Sequence, residues 1–155
     1  MKTVFALFIL LAIVVVGGKY GLNYLNNKTL PFGKTPTATI NNQTFNVYIA
    51  KTPKEKETGL SNKESLPEKY GMFFQFDTPD YYTFWMKKMR FPLDIIFIKN
   101  NKVVTVYTNV PYPKSETDNL PVYTPDEPVN AVLELNAGIS DKYNIKKGDG
   151  IKLSL

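Results

Sequence analysis

From Thr37 onward, apolar residues recur at every second position in short runs, the period of a strand with one buried face. Phe45, Val47 and Ile49 alternate with polar Thr44 and Asn46, and Asn41-Asn42 separates this run from Thr37–Ile40. Asparagine tolerates the left-handed backbone of a tight turn, so the pair predicts a β-hairpin. Asn100-Asn101 predicts a second one, joining Ile95–Ile98 to Val103–Tyr107. Between them lies the densest apolar stretch, Gly71 to Ile98. It contains the chain's one Trp and six of its 10 Phe, so core and any aromatic site must draw on it. Its runs Met72–Phe76 and Tyr81–Met86 flank an expected turn at Thr78-Pro79-Asp80, and Leu93–Ile98 follows Phe91-Pro92.

Later in the chain, Val129–Leu135 places Ala131, Leu133 and Leu135 on one face and Val132, Glu134 and Asn136 on the other. A turn at Lys146–Asp149 leads into a last strand, Gly150–Leu155. One helix is signalled. Thr52 suits the N-cap, Pro53 the first turn, Glu55 the reciprocal capping position and Gly59 the stop. Ser61 to Tyr70 reads as turn. Val110 to Pro128, with prolines at 111, 113, 121, 125 and 128, reads as structureless and mobile rather than as a lid. The pattern predicts a mainly β fold: a compact antiparallel barrel or sandwich of roughly seven or eight strands with one short helix. Residues 37–155 form the single domain, and a hydrophobic helix precedes it.

That helix is expected within residues 1–18, where Met1-Lys2 leads into an uncharged run from Val4 to Val16, closed by Gly17-Gly18 and Lys19. A charged start and a short apolar core mark an export signal. We read it as an uncleaved signal anchor, with a cleaved signal peptide as the alternative. Residues 4–18 then contact the membrane, and residues 19–36, rich in Asn, Gly and Pro, are the linker. The domain is expected outside the cytoplasm, membrane-anchored or, after cleavage, secreted.

The net charge of +5 is spread along the domain, the pattern of a solvated basic surface, and no nucleic-acid partner is expected. The absence of Cys and His removes thiol nucleophiles, Ser-His and Cys-His dyads, thiolate and histidine metal sites, and any disulfide framework. No cofactor or metal site is expected.

Asp94 is the sharpest single residue. It shares a face with Ile96 and Ile98 in a strand apolar on both sides, so partial burial is expected, and a buried carboxylate needs a cation or several donors. Lys87, Lys88 and Arg90 are its nearest cations in sequence.

The segments GLSNKESLP, GMFFQF, FWMKKMRFPLDIIFI and AVLELNAG, followed by I-K-K-G-D, resemble the successive blocks of the uncharacterised family known as domain of unknown function 192. The resemblance runs from Thr39 to the C-terminus. It implies a compact, mainly antiparallel β-barrel or sandwich with a helix packed near one end, and many relatives carry an export signal. The chain departs from the family pattern at Ser61 and Lys63, where Met and Arg are usual, and at Lys88-Met89, where Asn-Thr is usual.

Trp85, Lys87, Asp94 and Glu134 fall in those blocks. A structural account makes Trp85 a core residue, Lys87–Asp94 an ion pair and Glu134 a partner of backbone donors. A functional account makes the domain a binding module for a small ligand or glycan. In it Trp85, Tyr82 and Phe84 form an aromatic platform, and Lys87, Asp94, Glu134 and Asn136 orient the ligand. Two alternatives are a hydrolytic enzyme using Asp94 and Glu134 as a carboxylate pair, and an envelope protein-interaction module with no small ligand. No recognisable catalytic motif supports an enzyme.

Overall fold

The computed structural model describes residues 35–115 and 120–155. The expected hydrophobic helix within residues 1–18 and nearly all of the linker lie outside the described residues. No helix among the described residues is long and apolar enough to cross a membrane.

Among the described residues, nine strands and two short helices follow one another. They are β1 (Thr37–Ile40), β2 (Gln43–Ala50), α1 (Pro53–Thr58), β3 (Tyr70–Asp80), β4 (Phe84–Trp85), β5 (Leu93–Lys99), β6 (Lys102–Val110), β7 (Val122–Tyr123), β8 (Val129–Asn136), α2 (Ile139–Lys142) and β9 (Ile151–Ser154). Seven strands form one sheet in the order β6-β5-β8-β3-β2-β1-β9, and β4 pairs with β7 in a separate two-stranded arm. The large sheet curls into a half-barrel. Its two edges meet at one end, where Lys102 bridges Gly150 and the Val103 N–H donates to the Asp149 carbonyl.

Both predicted hairpins form. Asn41 and Asn42, and likewise Asn100 and Asn101, all have φ between 48° and 63°, the left-handed geometry that a two-residue hairpin turn demands. The helix signal at Thr52 also holds. Its Oγ1 accepts the Glu55 N–H, and Glu55 Oε2 accepts the Thr52 N–H in return, which caps α1 at both atoms. Those bonds, the Thr52 N–H first, keep the Glu55 carboxyl below its ordinary range.

Three expectations are corrected. First, the sheet is not wholly antiparallel. β2 and β3 run parallel, because α1 and the turns after it carry the chain back to the start of the sheet before β3 begins. Second, Thr78-Pro79-Asp80 is not a turn between two strands. β3 continues through it along β8 with a register shift between Gln75 and Asp80, so Pro79, lacking an N–H, falls in the irregular, exposed part of the strand. Third, a second helix, α2, follows Gly138, and within the Pro-rich stretch β7 is ordered by pairing with β4. Residues 116–119 of that stretch lie outside the described residues.

Two cores cover the two faces of the sheet. One draws Ile40, Phe45, Phe73, Ile96, Val103, Leu133 and Ile151 from all seven strands, and with Ile139 of α2 it fills the inside of the curl. The other gathers Met72, Phe74, Leu93, Ile95, Phe97 and Val132 under a cover made by Leu60, Leu66, Met86, Met89 and Phe91. The cover is what shapes the candidate site. At Gly71 the neighbouring strand comes so close that an added Cβ would stand 2.8 Å from the Glu134 carbonyl oxygen, leaving room only for glycine.

Candidate functional site

On the covered face, a cavity of about 310 Å³ opens between the end of α1 and the β4 arm. Phe74 and Phe76 of β3 and Phe84 and Trp85 of β4 supply aromatic walls, together with Tyr82 from the connecting loop. Phe84 packs edge-on against Phe74 and Phe97, with ring centroids 5.0 and 5.7 Å apart, while Phe76 stacks on Tyr82 at 3.6 Å. These contacts fix the rings in place and leave the cavity between them. Residues 56–60 at the C-terminal end of α1 close the other side.

Glu134 lines this cavity from β8. In register with it stand Met72 of β3 and Ile95 of β5, both apolar and buried, so the sheet offers its carboxyl no partner. Its Oε2 is buried without a hydrogen bond. Burial pushes its pKa from 4.5 up to about 8, which makes the group a neutral acid at pH 7. The expectation that Glu134 satisfies backbone donors does not hold for its Oε2, which is buried without a partner among the described residues.

Trp85 is 52% exposed and forms the cavity's outer rim, not part of the core. Its cross-strand partner Val122 is exposed beside it, while Phe84 and Tyr123 turn inward. Lys87 also lines the cavity, its Nζ 4.9 Å from the centre of the Trp85 ring. Lys56 holds a similar position over Phe76, at 4.7 Å. Three of the five expected site residues, Trp85, Lys87 and Glu134, are thus brought together.

The other two are not. Asp94 faces the inside of the curl, on the side of Ile96 and Ile98, whereas Glu134 shares the opposite face with Ile95. The sheet itself lies between the two carboxyl groups, so they cannot divide acid and base roles on one substrate. Nor does Asp94 pair with Lys87. It is fully buried and accepts the backbone N–H groups of Asn109 and Gly138 on Oδ1 at 2.8 and 3.1 Å, and of Ser140 on Oδ2 at 2.6 Å. Gly138 and Ser140 open α2, whose first N–H groups have no partner within the helix. Asp94 caps that helix from a distant strand. Asn136 is likewise structural, its Nδ2 donating to the carbonyls of Leu66 and Pro67 and pinning the loop before β3.

A second, more open recess of about 780 Å³ adjoins the cavity, sharing Lys87 and Met89 with it. Ser61, Lys88 and Arg90 line it, and Arg90 is ion-paired with Glu64. Three of the positions where the sequence departs from the family pattern, Ser61, Lys88 and Met89, fall on this recess. Among the described residues, no group of three or more carboxylates is placed to hold a metal ion.

Sequence reasoning missed the wall made by residues 56–60 and the role of Phe74 and Phe76. Only the apolar density of GMFFQF pointed to the rings, and nothing in the sequence indicates that the end of α1 lies over them.

The fold and site define a curled half-barrel β domain with an aromatic cavity and a buried acid in its wall. The family model described as Uncharacterized ACR, domain of unknown function 192, matches residues 36–153, and the chain belongs to that family. No significant match is found among curated proteins. Two solved structures are similar. One is a protein of unknown function from Novosphingobium aromaticivorans, at 31% identity and TM-score 0.66, covering 75% of this chain and 83% of its own. The other is a Sinorhizobium meliloti protein provisionally described as a transcription regulator, at 28% identity and TM-score 0.67, covering 79% of this chain and 96% of its own.

Proposed function

We propose that the domain is a binding module that takes a small, ring-bearing ligand of the glycan type in the cavity between α1 and the β4 arm. The observation that carries this is the pairing of five aromatic rings with one buried carboxyl oxygen that has no partner among the described residues. Sugar rings present apolar C–H faces and polar edges, which match aromatic walls with a few fixed polar groups. Lys56 and Lys87 at the rim and Glu134 in the wall supply those polar groups. A hydrolytic reading that uses Asp94 with Glu134 is not adopted, because the sheet separates them.

Trp85 is the chain's single tryptophan, so its fluorescence reports directly on the cavity rim. A panel of neutral, acidic and N-acetylated oligosaccharides, titrated into the full chain, is expected to contain members that quench or shift that emission. Calorimetry with Trp85→Ala is expected to show binding weakened by about tenfold or more, the factor that corresponds to 1.4 kcal/mol. The fold should survive, since the side chain is half exposed. A panel without any response, or a Trp85→Ala variant that binds as the parent does, would remove this reading and leave a protein partner as the occupant of the exposed arm.

The reading includes a membrane tether through residues 4–18, with the domain outside the cytoplasm. The support is the uncharged apolar run between Lys2 and Lys19. Fractionation of cells expressing the full chain is expected to leave it in the membrane pellet after an alkaline wash; quantitative release would eliminate the tether.

A further inference from the structure

We infer that Glu134 selects the ligand: its carboxyl offers an O–H to an uncharged acceptor oxygen of a sugar-type ring, and the site discriminates against ammonium-bearing analogues of the same ring. This rests on the binding reading above.

The geometry limits what the group can do. Its strand neighbours Met72 and Ile95 are apolar, and its Oε2 is both buried and unpartnered on the wall of the cavity. Four other side chains that ionise line the same space. Lys56 and Glu57 come from α1, Tyr82 from the loop before β4 and Lys87 from just after it. Tyr82 already donates its hydroxyl to the Thr78 carbonyl at 2.8 Å. Glu57 is exposed at the rim. The two lysine ammonium groups already sit over Phe76 and Trp85, the ring faces that a cationic ligand would seek.

A cation entering the cavity would therefore meet two like charges against the one exposed carboxylate of Glu57 at the mouth, and an uncharged acid within. Burial keeps that acid protonated through neutral pH, with a pKa of about 8. A neutral acetamido or hydroxyl oxygen meets the opposite situation. It receives a hydrogen bond from a donor that has no other partner, and an analogue unable to accept that bond leaves the donor buried and unsatisfied.

The probes are the tetramer of N-acetylglucosamine and its fully de-acetylated counterpart, titrated into the full chain with Trp85 emission as readout. At about pH 6 the acetylated tetramer is expected to bind roughly ten- to hundredfold tighter, the range that follows from leaving one buried donor without its acceptor. Its affinity should fall as pH rises past about 8, where the carboxyl ionises. Glu134→Gln, which keeps a donor but cannot ionise, should abolish that pH dependence, and Glu134→Leu should cut the preference between the two sugars down to the part that Lys56 and Lys87 impose. If the de-acetylated tetramer binds tighter, Glu134 acts as the anionic partner of a cation and the inference fails while the binding reading stands. Equal affinities, or a pH-independent parent, overturn it in the same way. If neither tetramer binds at any pH, but another sugar of the panel does, the acetamido-accepting role is wrong. If nothing in the panel binds, both readings fall together.

Discussion

Replacing Asp94 with asparagine is expected to destabilise the fold by about 3 kcal/mol, or roughly 10 °C in melting temperature for a domain of this size. The carboxylate accepts three backbone N–H groups that no other group reaches: Asn109 at the end of β6, and Gly138 and Ser140 at the start of α2. An amide has one oxygen and one NH₂ group. Whichever way it is turned, the NH₂ faces either the Ser140 N–H or the pair from Asn109 and Gly138. At least one buried donor then loses its acceptor and opposes another donor. Both the lost charge-assisted bond and the unsatisfied group add to the cost. Urea unfolding followed by Trp85 emission measures it. A change smaller than about 1 kcal/mol would show that the three bonds are not what holds α2. The variant also separates structure from function, since Asp94 lies across the sheet from the cavity. Folded Asp94→Asn should keep whatever ligand affinity the parent has. Lys87→Met should change stability by less than about 1 kcal/mol, since its contact is an exposed cation–π one with Trp85.

Asp94 illustrates how far the sequence could be read. Its burial was legible, because Leu93–Ile98 is apolar on both faces and the carboxylate sits among those positions. Its partners were not. They are 15, 44 and 46 residues away and donate through the backbone, which carries no residue-type signature. Sequence proximity favoured the cations at 87–90, but a strand and the residues leading into it do not point the same way. The hairpins and α1 were legible for the opposite reason. Asn41-Asn42, Asn100-Asn101 and the Thr52–Glu55 box are local, and their geometry is set by residues within a few positions of one another. The parallel pairing of β2 with β3 needed knowledge of where the chain returns after α1, which no periodicity reports. For the site, alternation along β8 correctly put Glu134 on the face opposite Leu133 and Leu135. Pairing Glu134 with Asp94 required the register of β5 against β8, and that register puts Asp94 opposite Leu135 and Ile95 opposite Glu134.

Glu134 should make the domain less stable as the pH rises, and Glu134→Gln should remove that loss. In the folded state the carboxyl keeps its proton up to about pH 8, whereas in the unfolded chain it loses it near 4.5. Between those values the folded state binds more protons than the unfolded one. Stability contributed by this group is therefore full below about 4.5, falls through the window, and levels off above about 8. At 1.36 kcal/mol per pH unit, the whole window is worth on the order of 5 kcal/mol. Glutamine has the same shape and stays neutral throughout, so it matches the protonated acid without its titration. The variant should differ little from the parent near pH 5 and exceed it by several kcal/mol near pH 9. The contributions of the exposed, capping Glu55 and of the other carboxylates are common to both chains and cancel in the difference. A gap between the two chains that stays constant with pH, or a parent that is the more stable of the two at pH 9, would mean that the Glu134 carboxyl is solvated or paired in solution. The two buried acids of this domain thus act in opposite senses. Asp94 holds the fold together through three backbone donors. Glu134, with none on its Oε2, weakens the fold whenever it is charged, and a cavity wall is where such a group can gain a partner from a ligand.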